Sequence, residues 1–415
     1  MSDLRALVRR PYALRMLLSA LVGRLPEAMV PLALLLLARA EHGSYATAGA
    51  LAGAFAIGAA VGGPVAGRII DRLGQTVVLI VVAVARSAAL LGIVLVAPSS
   101  LAVAAALAAA AGALTPPLEP ALRALWPDLA GDDEHALSAA YELDAGAQEL
   151  IFVVGPLLVA VAVAVGSPST ALHLTSAVGL LGTLAFALAP PARGWRAGEH
   201  AAVREAGDEQ AMGSRRSHAP AWSAAVRAPQ VGLLLTLGVL AGAATGMVNV
   251  TATAFAEHTL ENRDLAGWLL AAWAVGALAG GLGAAARRWT LPPERRLTRL
   301  LVVFGLAFGP ALLARSTPAM AGALALSGAF LAPTLACIFV LTGARALPGT
   351  ITETFAWLTS SFLVGSAAGA ALAGTLSGSG SGVRGFAVAG ATVLLAAALW
   401  ELLRTRSAVL APRRR

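Results

Sequence analysis

Hydrophobic positions in this chain fall in long uninterrupted stretches, with charge or Pro/Gly punctuation between them. Apolar runs approaching a bilayer's width lie at 14–38, 45–67, 75–97, 101–125, 136–166 and 170–189. Six more follow at 230–256, 265–286, 297–314, 318–343, 352–376 and 383–403. About 20 such residues cross a bilayer as an α-helix, and twelve crossings need about 240, well within the 415 available. Strand-like alternation and a Gly-rich phosphate loop are both absent. Backbone polar groups cannot stay unpaired in hydrocarbon, so each run is expected to be helical. The pattern predicts an all-α integral membrane protein of twelve transmembrane helices, built as two six-helix pseudo-repeats.

The one polar interruption sets the domain boundaries: an N-terminal bundle at 1–189, a connector at 190–229 and a C-terminal bundle at 230–415. The connector opens with Pro190-Pro191 and carries Arg204, Glu205, Asp208, Glu209, Arg215 and Arg216. A short surface helix is expected near Glu199 to Met212. The first apolar run is too long for a cleavable leader and lacks a small-residue cleavage site.

Composition narrows the class. Charged residues make up 13% and hydrophobic ones 58%, with mean hydropathy +0.77. A soluble domain carries about 25% charged residues, so much of this surface does not face water. A soluble enzyme, a disordered chain and a disulfide scaffold are excluded; Cys337 is the only cysteine.

The net charge of +8 comes from arginine alone among the basic residues. Laid on the twelve-span plan, 24 of the 30 arginines, Arg68 and Arg123 among them, fall on one side. Only Arg39, Arg263, Arg315 and Arg384 fall on the other, and Arg24 and Arg86 lie within spans. That asymmetry follows the positive-inside rule and predicts both termini in the cytoplasm of a plasma-membrane protein. It assigns the basic charge to topology rather than to nucleic acid.

Between the second and third runs stands Gly67-Arg68-Ile69-Ile70-Asp71-Arg72-Leu73-Gly74-Gln75-Thr76. It resembles the G-x-x-x-D-R-x-G loop signature of the major facilitator superfamily, and it stands in the same topological slot. Gln75-Thr76 replace the family's usual basic residues. The resemblance implies twelve helices in two halves that rock about a central site. It also implies that Asp71 meets span 11 across the halves when the transporter is open outward. Gly67 and Gly74 suit a tight turn and close helix approach, and Asp71 suits a helix N-terminus. Thr350-Ile351-Thr352-Glu353 reads as a capping box opening span 11. The expected conformational gate is therefore Gly67, Asp71, Arg72 and Gly74 against Thr350 and Glu353. In the second half, Gly276, Gly280, Gly281 and Gly283 before Arg287-Arg288 echo the signature without its acid.

A charge inside the bilayer costs about 2.5–3.5 kcal/mol on insertion scales and calls for a reason. Span 1 holds Arg24 and Glu27 on one helical face, beside Pro26 and Pro31. Span 4 holds Glu119 and Arg123; span 5 holds Glu142, Asp144 and Glu149. The resemblance implies that spans 1, 4, 7 and 10 line a central cavity, which would bring Arg24, Glu27 and Glu119 to it. Burial favours the neutral acid and a nearby guanidinium the carboxylate, so such a group can load and release a proton as the open face changes. Glu27 is the expected proton-coupling carboxylate, with Arg24 tuning it and Glu119 or Glu149 as a second acid; a structural Arg24–Glu27 pair is the competing reading. Arg86 is expected to be structural, and Glu142 and Asp144 to be solvated at the inner surface.

Two Asn and four Gln in the whole chain argue against a sugar site. Trp268, Trp273, Trp357, Phe255, Phe330 and Met247 could line an apolar pocket, but most of them are expected to serve as packing or interfacial anchors. Gly155-Pro156 resembles the core of the superfamily's antiporter motif. The combined reading is a proton-coupled exporter of a lipophilic small molecule, a monomer in the lipid bilayer. An importer of the same fold and a non-transporting sensor are the alternatives. Neither HExxH nor GxSxG occurs, so no enzyme, metal or cofactor is expected.

Overall fold

The computed structural model describes residues 10–42, 45–196, 229–262, 265–377 and 383–410. Twelve helices or helix pairs among them are long and apolar enough to cross a membrane. Spans 1 to 6 are Ala13–Glu41, Thr47–Leu73, Gln75–Val96, Leu101–Ala130, Glu134–Val165 and Pro168–Ala187. Spans 7 to 12 are Gln230–His258, Leu265–Ala285, Pro293–Leu313, Thr317–Arg345, Ile351–Leu376 and Arg384–Thr405.

Span 4 is longer than the apolar run suggests because it is two helices. Leu101–Ala113 ends before Pro116-Pro117, and Leu118–Ala130 restarts the chain deep in the bundle. The break puts Glu119 in the first turn of the second helix, where the positive end of the helix dipole favours an anion. Span 1 keeps Pro26 and Pro31 within one helix, Ala13–His42.

Small residues bring the helices together, as expected where lipid offers no hydrophobic drive to association. Gly58 and Gly62 of span 2 lie on the backbone at Ala109 and Ala113 of span 4. Gly276 and Gly280 of span 8 lie on that at Ala325 and Ala329 of span 10. The two contacts are one motif repeated, and they fix the register between halves. Gly280 matches Gly62, so Ala285 and Trp289 stand where the first half has Gly67 and Asp71. The glycine echo in the second half is thus real, but shifted from the alignment on Arg287-Arg288 that the sequence suggested.

Spans 5 and 11 make the main crossings between the halves. Span 11 packs on spans 2 and 4, and span 5 on spans 8 and 10. Gly146 of span 5 meets Gly281 of span 8, where a Cβ on Gly281 would stand 2.9 Å from the Gly146 Cα. These crossings gather toward the face that carries the 67–76 loop, hereafter the latch face.

Pro190–Gly194 is a short helix, and Trp195, 2% exposed, packs under the start of span 3. Gly74 turns the chain there at φ +88, and a Cβ on it would stand 2.8 Å from the Arg196 guanidinium. The surface helix expected near Glu199 to Met212 lies outside the described residues.

Candidate functional site

Two constructions stand out: an interlock on the latch face and a buried cluster of charge behind it.

In the interlock, Asp71 at the end of span 2 reaches the first turn of span 11. Its Oδ1 accepts the Thr352 amide at 3.0 Å, and its Oδ2 accepts the Glu353 amide at 2.8 Å. These are free donors at the helix start, and the carboxylate also meets the positive end of the dipole. The expected capping box does not form. The Thr350 hydroxyl donates instead to the Leu347 carbonyl at 3.0 Å. Glu353 turns away to pair with Arg68 at 3.5 Å, both side chains buried. A cap from the other half takes the place of the local one. Gly67 makes room, since a Cβ there would lie 3.0 Å from the Thr352 carbonyl and 3.2 Å from the Glu353 Cα. Arg72 is exposed at the rim and adds no ion pair to the interlock. Gln75 and Thr76 fasten span 3 within its own half: Gln75 Nε2 donates to the Ala121 carbonyl and the Thr76 hydroxyl to the Ala187 carbonyl, each at 3.0 Å.

A second crossing uses Glu142, one of the two acids read as solvated in the sequence. Glu142 is 1% exposed and meets Arg296 of span 9 at 3.6 Å, while Ser138 accepts from Arg296 at 3.0 Å. The Arg296 guanidinium lies 5.0 Å from the centre of the Trp289 ring. Between the two crossings, Tyr141, Phe339 and Phe355 from spans 5, 10 and 11 form a ring cluster with centroids 6.1–6.5 Å apart.

The charge cluster lies in the first half. Arg24 of span 1 meets Glu119 of span 4 at 3.0 Å, Asp144 of span 5 at 3.4 Å and Glu27 at 3.8 Å. Arg123, also on span 4, holds Asp144 at 2.9 Å and pairs with Glu119 one turn earlier. Arg24, Glu119, Arg123 and Asp144 thus close a ring of two cations and two anions. Reading Asp144 as solvated and Arg123 as an inner-loop charge was wrong, because neither is more than 1% exposed. Residues two apart on a helix point about 200° apart, so Glu142 looks to the second half while Asp144 looks into the first.

Glu27 differs from the rest. Its side chain keeps 29% exposure, against at most 8% for the ring, and its ion pair is the longest. Gly155 lets span 5 come close beside it: a Cβ there would stand 2.9 Å from the Ala28 Cβ. Glu149 stands apart from the cluster, half-buried and without an ion pair among the described residues. Arg123 joins the two constructions. Its guanidinium lies 3.4 Å from the centre of the Phe339 ring, and Tyr141 donates to its carbonyl at 3.1 Å.

Most of the aromatic residues go to packing rather than to a pocket, the reading the sequence favours. Trp273 stacks with Phe304 and Phe308 in the core of the second half, Phe255 and Met247 are also core, and Trp268 is 73% exposed. No cluster of metal-ligating side chains forms among the described residues.

Twelve helices in two halves, interlocked on one face over a buried charge cluster, define a multi-pass membrane transporter rather than an enzyme. The chain belongs to the Major Facilitator Superfamily, whose family profile matches residues 16–317. No curated protein matches it in sequence. Solved structures share its fold. The human organic anion transporter MFSD10 (TETRAN) is 20% identical with TM-score 0.67, over 94% of this chain and 100% of that one. A bacterial homologue of the iron transporter ferroportin, outward-facing, is 17% identical with TM-score 0.68, over 94% and 98%. The E. coli fucose:proton symporter FucP is 15% identical with TM-score 0.67, also over 94% and 98%.

Proposed function

We propose that the protein is a proton-coupled exporter of lipophilic small molecules, working by alternating access in the plasma membrane. In this reading residues 1–189 and 230–415 are the moving units, joined by the 190–229 connector. The latch face is cytoplasmic, in line with the arginine asymmetry, and the conformation described is closed inward. The units part on that face when Asp71 leaves the first turn of span 11 and Arg296 leaves Glu142.

Glu27 carries the proton, and one observation supports this above the others: it alone in the cluster combines partial exposure with a loose ion pair. The ring of Arg24, Glu119, Arg123 and Asp144 is neutral as it stands, so the ring itself does not need the charge of Glu27. A proton on Glu27 releases Arg24 to the ring; a deprotonated Glu27 competes for it. Arg123 passes that change to Phe339 and the aromatic seal between the units. A lipophilic cation suits the same carboxylate, exchanging with the proton. Export is favoured by Gly155-Pro156, whose glycine sets span 5 against span 1 beside Glu27.

The test is reconstitution in proteoliposomes with an imposed pH gradient and a panel of lipophilic cations. Wild type should move substrate against protons, and Glu27→Gln should bind substrate yet lose the response to the gradient. Gradient-driven transport retained in Glu27→Gln would overturn the assignment.

A further inference from the structure

Arg86 of span 3 has no role in either construction, yet it is 3% exposed, and its Nε and Nη2 are buried without a hydrogen-bond acceptor. Its only contact of note is the face of Phe55, 5.9 Å from the guanidinium carbon. Among the described residues no carboxylate comes within ion-pair distance of it. Glu27 is already engaged by Arg24 and only partly buried. A buried guanidinium left in this state is costly, and buried charges are as a rule paired.

Beside Arg86 lies a small cavity between spans 3, 4 and 6, lined by Ser87, Pro116, Thr175, Ser176 and Gly179. It offers about 10 Å³, the space of one water-sized particle. The Thr175 hydroxyl is spent on the Ala171 carbonyl at 2.7 Å. Those of Ser87 and Ser176 make no hydrogen bond among the described residues and are free to donate. A water molecule there would fill the space and leave the charge unmatched. We propose that this cavity binds a small monovalent inorganic anion, chloride in practice, held by Arg86 with Ser87 and Ser176 as neutral donors.

Charge counting extends the proposal. The buried arginines 24, 86 and 123 face Glu27, Glu119 and Asp144, so the set balances only while Glu27 is ionised. Neutralising Glu27 leaves the set with one positive charge in excess, and an anion in the cavity then restores balance. Chloride binding and a neutral Glu27 therefore favour each other, and such coupling is reciprocal. This deepens the reading of Glu27 given above.

Equilibrium binding of radiolabelled chloride to the detergent-purified protein tests it, at constant ionic strength with gluconate as the replacing anion. Wild type should bind saturably. Arg86→Met should weaken binding about ten- to a hundredfold, the worth of a charge-assisted hydrogen bond. Ser176→Ala, which keeps the cation, should weaken it less and covers the case in which Arg86→Met does not fold. Glu27→Gln should bind several-fold more tightly. Absence of saturable binding in wild type, or binding indifferent to both Arg86→Met and Ser176→Ala, would mean a water-filled cavity and sink the site. Unchanged affinity in Glu27→Gln would remove the linkage. The measurement needs no transport, so its failure is distinct from failure of proton coupling at Glu27.

Discussion

Asp71 and Glu353 belong to different halves of the molecule, and each is satisfied by the other's half: the Asp71 carboxylate accepts the Glu353 amide at 2.8 Å, and the Glu353 carboxylate is held by Arg68 at 3.5 Å. Local helix chemistry has been traded for contact between halves, which makes the start of span 11 dependent on the conformation of the whole transporter.

Asp71→Ala should shift the balance between conformations more than it lowers fold stability. Loss of an N-terminal cap costs about 1–2 kcal/mol, or a population change of about five- to thirtyfold. In the distribution of distances between spin labels on the latch-face ends of spans 2 and 11, the longer-distance population should grow in that proportion. An unchanged distance distribution would refute the latch.

Arg296→Met leaves Glu142 buried without its cation, a situation that costs about 3–5 kcal/mol. Glu142→Gln on its own should cost less, and the double substitution should recover part of the Arg296→Met loss. Thermal melts of the four proteins in one detergent give the coupling energy directly. Additive effects would show that Glu142 and Arg296 act independently.

Glu27→Gln should leave the melting temperature close to wild type, because the side chain is only partly buried and its ion pair is long, at 3.8 Å. Asp144→Asn should lower it markedly, since Arg24 and Arg123 both rely on that buried carboxylate. Equal losses from the two substitutions would contradict the division between a partly exposed acid and a structural ring.

Gly281→Val puts a branched side chain where a single Cβ would already stand 2.8 Å from the Glu142 carbonyl and 2.9 Å from Gly146. Spans 5 and 8 cannot then close on the latch face. Labelling of single cysteines placed along that seam by a water-soluble maleimide should rise several-fold. No rise would show that the seam is not a moving contact.

Much of the architecture was legible in the chain. Twelve helices follow from hydropathy, because the bilayer imposes one length on every crossing. The 67–76 motif located the interlock because its glycine and aspartate answer to local geometry, a close approach and a helix terminus. Arg24, Glu27 and Glu119 come together as expected, since span 1 carries its pair on one face and the Pro116-Pro117 break aims Glu119 inward. What the sequence concealed depends on helix rotation and on partners far along the chain. Asp144 and Glu142 stand two residues apart near a helix start and look alike as letters. Only the packing of span 5 between halves sends one to Arg24 and the other to Arg296. Thr350 misled for a related reason: its capping pattern is sound, but a carboxylate 279 positions earlier outcompetes it. The aromatic residues scattered through the second half likewise reveal nothing of their destination, and most were claimed by the core.

The borrowed cap has a kinetic meaning. In the proposed cycle, separation of the halves on that face takes the acceptors of the Thr352 and Glu353 amides away and turns them to water, so each turnover would briefly fray one helix end. Deuterium uptake at those two amides would then tick once per excursion and serve as an internal clock for the transport cycle, readable without knowing the cargo.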